Sequence, residues 1–160
     1  MTPAQLDALK EAILATPAWA VQPMSQGGSI IIRDELNALA SPDWTVWRTN
    51  VPIDEIMRNG MDWARVDNLS VGKARIWDWM SRLGSINPSK PNIRAGIDAT
   101  WAGTALDLAV RAAVYVHCKR LASVVEKMFS IGTGSNADPA VMGYEGPITT
   151  DEVVEARERP

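Results

Sequence analysis

The segment from Thr104 to Ile131, TALDLAVRAAVYVHCKRLASVVEKMFSI, decides the fold class. Thr104 is a helix cap with Asp107 three residues on. Leu106, Val110, Ala113, Val114, His117, Leu121, Val124, Val125 and Met128 then recur at three- and four-residue steps. That is the period of one helix face. The spacing predicts a single long helix over 104–131, about 40 Å at 1.5 Å per residue. Gly132-Thr-Gly-Ser-Asn136 ends it.

Upstream, Pro91 opens a helix carrying Ile93, Ile97 and Trp101, with Gly103 as terminator. Ser70 caps another, ended by Gly84. In it, Ile76, Trp77, Trp79, Met80 and Leu83 are read onto one broad apolar side, and Arg75, Asp78 and Arg82 onto the wet side. Pro52 to Met57 reads as a short helix, and Trp44 to Thr49, rich in β-branched and aromatic residues, as the best strand. Met24 to Gly28 reads as a loop before a helix capped by Ser29. Thr2, Pro3 and Gln5 form a capping box at the first helix, whose apolar face is Leu6, Leu9, Ile13 and Leu14. Downstream of 132, small and turn residues dominate, with a last helical turn from Thr149 or Thr150 to Ala156. The expected fold is mainly α: a compact helical bundle with one long helix, at most a minor β element near 44–49, and an extended C-terminal arm. The helical body spans 1–132. The arm, 133–160, is not an independent domain.

Charge and composition narrow the function. Sixteen Lys and Arg stand against nineteen Asp and Glu, a net charge of −3 that does not mark a dedicated nucleic-acid binder. The acidity gathers in 133–160, where six carboxylates meet two arginines. One cysteine, Cys118, excludes an intrachain disulfide and suits a reducing compartment of synthesis. The start, with Asp7, Lys10 and Glu11, does not read as a signal peptide. Leu108 to Cys118 is too short and too interrupted to span a membrane. Seven tryptophans against one phenylalanine and two tyrosines is a biased aromatic set. Tryptophan fills cores, and it is also enriched at subunit contacts.

Catalytic signatures are missing. His117 and Cys118 are helix neighbours about 100° apart, so they do not chelate one metal together. Gly132-x-Gly134 follows a helix, whereas a phosphate loop precedes one. No G-x-S-x-G elbow occurs. The pairs Asp54/Glu55 and Asp151/Glu152 read as helix-start charges favoured by the dipole. The expectation is no enzyme, no cofactor and no metal. Lys73, Arg75, Arg82, Lys90 and Arg94 face only Asp78 across 71–94. They read either as an ordinary wet helix face or as a basic surface for phosphate or an acidic partner.

Ser41-Pro-Asp-Trp-Thr-Val-Trp-Arg-Thr49, Met61-Asp-Trp-Ala-Arg-Val-Asp-Asn-Leu69, Lys73-Ala-Arg-Ile-Trp-Asp-Trp-Met80 and Lys119-Arg-Leu-Ala-Ser-Val-Val-Glu-Lys127 share a character with the ending Gly132-Thr-Gly-Ser-Asn-Ala-Asp-Pro-Ala140 and Tyr144-Glu-Gly-Pro147. Together they resemble small structural proteins from the virion gene block of tailed bacteriophages. Within these, the outline resembles helical head–tail adaptors, also called connector or head completion proteins. The resemblance implies a virion-neck subunit, made in the host bacterial cytoplasm, that forms a twelve-fold ring with itself. It implies docking on the portal protein and on a tail or stopper protein. DNA then passes through the channel without sequence-specific binding, and no membrane is involved. It also implies that 133–160 is a docking arm. Candidate interface residues are Trp44, Trp47, Trp63, Trp77, Trp79, Val141, Met142, Tyr144 and Ile148. The alternatives are a tail terminator, tail-associated or decoration protein and, from another class, a small DNA-binding packaging or regulatory factor. A peptidoglycan-hydrolysing accessory role is remote.

Overall fold

The computed structural model describes residues 1–160 and is mainly α, 55% helical. The order is α1 (Pro3–Ala15), α2 (Pro17–Ala20), α3 (Gln26–Asn37), β1 (Thr45–Trp47), β2 (Val51–Pro52), α4 (Ile53–Arg58), α5 (Trp63–Asp67) and α6 (Val71–Ser81). Then follow β3 (Ser85–Ile86), α7 (Pro91–Thr100), α8 (Ala105–His117), β4 (Lys119–Leu121), α9 (Val124–Met128), β5 (Ser130–Ile131), β6 (Val141–Met142) and α10 (Thr150–Glu158). The strands form three two-stranded pairs, β1 with β4, β2 with β3 and β5 with β6. Two registers are antiparallel, Val51 opposite Ile86 and Ser130 opposite Met142. No helix is long and apolar enough to cross a membrane.

The chain divides into two compact units, one of residues 1–45 with 121–160 and one of residues 46–120. In the first, α1 packs on α10 and α2, and α3 packs on α10 and α9. Leu6, Leu9, Ile13, Ile32, Leu36, Val125, Ile148, Val153 and Ala156 meet in its core with Trp19. Helix α1 begins at the expected capping box, in which Thr2 accepts from the Gln5 amide and Gln5 returns the bond. In the second unit, α6 packs on α7 and α4 on α8. Its core joins Trp47, Trp77 and Trp101 with Ile53, Ile56, Ile97, Val110, Val114 and Cys118.

Four expectations need correction, the first being that β structure is confined to 44–49: β2 pairs with β3 and β5 with β6 outside it. The long helix over 104–131 is two helices. Helix α8 stops at His117, Cys118 caps it, and Lys119–Leu121 turns into β4. The reason lies in competing hydrogen bonds. The Arg48 amide donates to the Cys118 carbonyl and the Ala122 amide to the Trp44 carbonyl, so backbone groups that a helix needs serve strand pairing. Ser123-Val-Val-Glu126 then restarts a helix with a reciprocal capping box. The helical period runs through the break because capping and pairing override a weak periodic preference.

Residues 133–160 are not an extended arm. Thr149 caps α10, and Ile148, Val153 and Ala156 are buried against α1 and α3. Asn37 fixes the approach, its side chain donating to the Ile148 carbonyl and accepting from the Ile148 amide. Few apolar residues suffice here because each sits on the inward side of one short helix. Deleting 133–160 therefore removes part of a core, not a tail. Helix α3, finally, is capped by Ser25 instead of Ser29, and Gly27-Gly28 lie inside its first turn.

Candidate interface surfaces

Formal charge separates with the units. Residues 1–45 and 121–160 carry five Lys and Arg against twelve Asp and Glu, a net of −7. Residues 46–120 carry eleven against seven, a net of +4. The acidic tail is thus one part of an acidic unit.

Most candidate interface residues are spent inside their own unit. Trp47 is buried against Tyr115, with ring centroids 5.4 Å apart, and the Arg94 guanidinium lies over it at 5.0 Å. Trp77 is buried edge-on to Trp101 at 5.3 Å. Trp44 is half-buried, donating from Nε1 to the Ser130 hydroxyl at 2.8 Å, with Lys127 over its ring at 5.0 Å. Tyr144 packs on Phe129 and donates to the Pro147 carbonyl. Ile148 is core, and Met142 is half-buried in β6. Trp63, Trp79 and Val141 remain exposed, the two indoles at 59% and 63%.

Three of the five residues of the basic stretch have partners within their own unit. Lys73 donates to the Ala102 carbonyl, Arg82 pairs with Asp78 at 3.0 Å, and Arg94 donates to the carbonyls of Pro88 and Ser89. Arg75 and Lys90 are exposed, with no partner for either side chain. Of the five cations, only Arg82 is paired with a carboxylate.

Two features were not legible beforehand. Helix α6 buries Trp77 and Met80, so its outward arc, at about 100° per residue, carries Val71, Arg75 and Trp79, and Leu83 follows just past its end. Val71 and Leu83 are 78% and 64% exposed. Trp79 and Leu83 therefore share the wet side with Arg75, against the expected division of this helix. The apolar set spans a wider arc than one packing partner covers. The second feature is a groove of about 290 Å³ between the start of α3 and α10. Met24 and Val154 give it apolar surface, and Asp151 and Glu158 give it carboxylates. Its one cation, Arg157, is committed to the Ser29 hydroxyl and the carbonyls of Gln22 and Pro23.

Inside residues 46–120, Arg48, Glu55 and His117 are joined by hydrogen bonds. Arg48 binds Glu55 at 2.6 Å and the His117 carbonyl at 2.9 Å, and the Arg48 hydrogen bond holds the Glu55 carboxyl below its usual range. The His117 ring lies between Glu55 Oε1, 3.3 Å from Nδ1, and the Asn59 carbonyl, 2.9 Å from Nε2. Cys118 is buried, and burial pushes its thiol up to about 12, so it is no thiolate at neutral pH. No group of three or more His, Cys, Asp or Glu is placed to hold a metal ion. Comparison with family models, characterised proteins and solved structures gives no match.

Proposed function

We propose that this chain is a structural subunit of a tailed-bacteriophage virion, and within it a head–tail adaptor whose copies form a ring docked on the portal. What carries the assembly reading is one observation: a chain of two oppositely charged units leaves two indoles, Trp63 and Trp79, more than half exposed. Tryptophan is enriched at subunit contacts relative to the rest of a protein surface. The resemblance of the segments quoted above supports the phage origin, and the small, mainly helical outline supports the adaptor reading within it. The packed state of α10 changes how docking works: the surfaces that bind are those of folded units, and no loose C-terminal segment is needed.

The test is co-expression of the full chain with the portal protein of the same genome, followed by electron microscopy. Rings stacked on the portal support the adaptor reading. A chain that sediments as a monomer both alone and with the portal refutes it.

A further inference from the structure

The two unabsorbed surfaces are complementary. The outward arc of α6 offers an indole, Trp79, beside an unpaired guanidinium, Arg75, with Val71 and Leu83 as further apolar contacts. The α3–α10 groove offers apolar surface from Met24 and Val154 beside the Asp151 and Glu158 carboxylates. Neither carboxylate has a side-chain partner of its own. The units that bear these surfaces have opposite net charge, so the same pairing is favoured at long range and at contact.

We propose that the α6 arc of one copy seats in the α3–α10 groove of a second copy, with the Trp79 indole against Met24 and Val154 and the Arg75 guanidinium between Asp151 and Glu158. This contact rests on the reading of the chain as a self-assembling subunit. It joins two different surfaces, so each bound pair of copies leaves one arc and one groove free. Such heterologous contacts propagate into closed rings or filaments. A desolvated tryptophan flanked by an arginine is the kind of anchor that dominates interface energy.

The experiment uses two variants of the full chain and sedimentation velocity over a concentration series. The arc variant carries Arg75→Glu and Trp79→Ala. The groove variant carries Asp151→Asn and Glu158→Lys, the neutral choice at 151 sparing the helix start. All four positions are exposed, and unchanged circular dichroism checks the fold. The unsubstituted chain is expected to form species larger than a monomer. Each variant alone is expected to associate at least about tenfold more weakly, as loss of an interface anchor gives. Mixed one to one, the two variants are expected to recover a species of two chains and no larger one, because only the groove of the arc variant and the arc of the groove variant are intact. Variants that associate like the unsubstituted chain overturn this contact and leave self-assembly standing. A mixture that stays monomeric, or an unsubstituted chain that is monomeric throughout, also overturns it. Portal-dependent rings seen in that last case keep the adaptor reading separate.

Discussion

Residues 46–120 hold a core built on rings, whereas the unit of 1–45 and 121–160 holds one built on aliphatic side chains. Five of the seven tryptophans lie in the first stretch, and three of them, Trp47, Trp77 and Trp101, are in its core. The second has one core tryptophan, Trp19, among Leu, Ile, Val and Ala. Helices α1, α3 and α10 have nine to thirteen residues and pack side by side, so branched aliphatics interdigitate. In the other unit α6 and the end of α7 meet through the Trp77 and Trp101 rings, 5.3 Å apart, and Trp47 packs on Tyr115 of α8. Connectivity differs too. The ring-based core forms from one continuous stretch, while the aliphatic core must join α1 to a helix nearly the whole chain away. Long loop closure slows that step relative to local packing.

The most forceful way to break this contrast is Trp101→Ala. Trp101 is fully buried against Trp77, and the truncation leaves a large cavity costing about 3–5 kcal/mol. Hydrogen exchange should accelerate more in α6, α7 and α8 than in α1, α3 and α10. Equal acceleration in both units means the two cores do not differ as described. Trp101→Phe sharpens the point. The indole N–H of Trp101 is buried without a hydrogen-bond partner. Phenylalanine removes that unsatisfied donor, worth about 1–3 kcal/mol, while losing less volume than alanine. It should therefore cost well under half as much, measured by denaturant unfolding.

A smaller effect separates sterics from backbone strain. Gly134 has φ +66°, and a Cβ there falls 2.1 Å from Trp44 Cδ2. Gly84 has φ +74° with open space around it. Both alanine variants pay for the left-handed conformation, about 1–2 kcal/mol. Gly134→Ala should add a further ~1–3 kcal/mol for overpacking. It should also weaken the hold of Trp44, seen as a red-shifted, more quenchable tryptophan emission. Equal costs at the two positions show that the loop over Trp44 moves aside.

Much of the local structure was legible because it is written in caps. Thr2–Gln5, Thr104–Asp107 and Pro91 all start helices where the residues say so. The break after His117 was written in the same language, as Ser123-x-x-Glu126, but a continuous apolar period masked it. What selects the break is strand pairing to β1, a partner some seventy residues upstream, and one-dimensional spacing carries no record of it. The docking of α10 was hidden for the same reason: Asn37 reads as a surface residue until Ile148 arrives beside it. For the candidate surfaces, residue type was legible and exposure was not. Trp77 and Trp79 sit two positions apart, and only the place of the helix in the fold decides that one is core and the other is wet.

The mildest test concerns a polar contact that belongs to the ring-built unit alone. Asp107 accepts from Arg65 Nη2 at 2.6 Å and from the Thr104 amide at 3.1 Å. The Arg65 hydrogen bond, then those of Thr104, hold its carboxyl down to about 2. In the unfolded chain an aspartate titrates near 3.9. Above about pH 4 the carboxylate is charged in both states, and its folded contacts contribute their full stability. Between about pH 4 and about pH 2 the unfolded chain binds the proton first, so that contribution falls as the pH falls. Below about pH 2 it is gone. Asp107→Asn should therefore lower the melting temperature of residues 46–120 by a few degrees at neutral pH. The gap to the unsubstituted chain should stay level down to about pH 4 and close across the next two units. The other carboxylates titrate in both proteins and cancel in the difference. A gap that persists unchanged into strong acid assigns the loss to the shape of the capping box, and one absent at neutral pH leaves solvent, not Asp107, as the effective partner of Arg65.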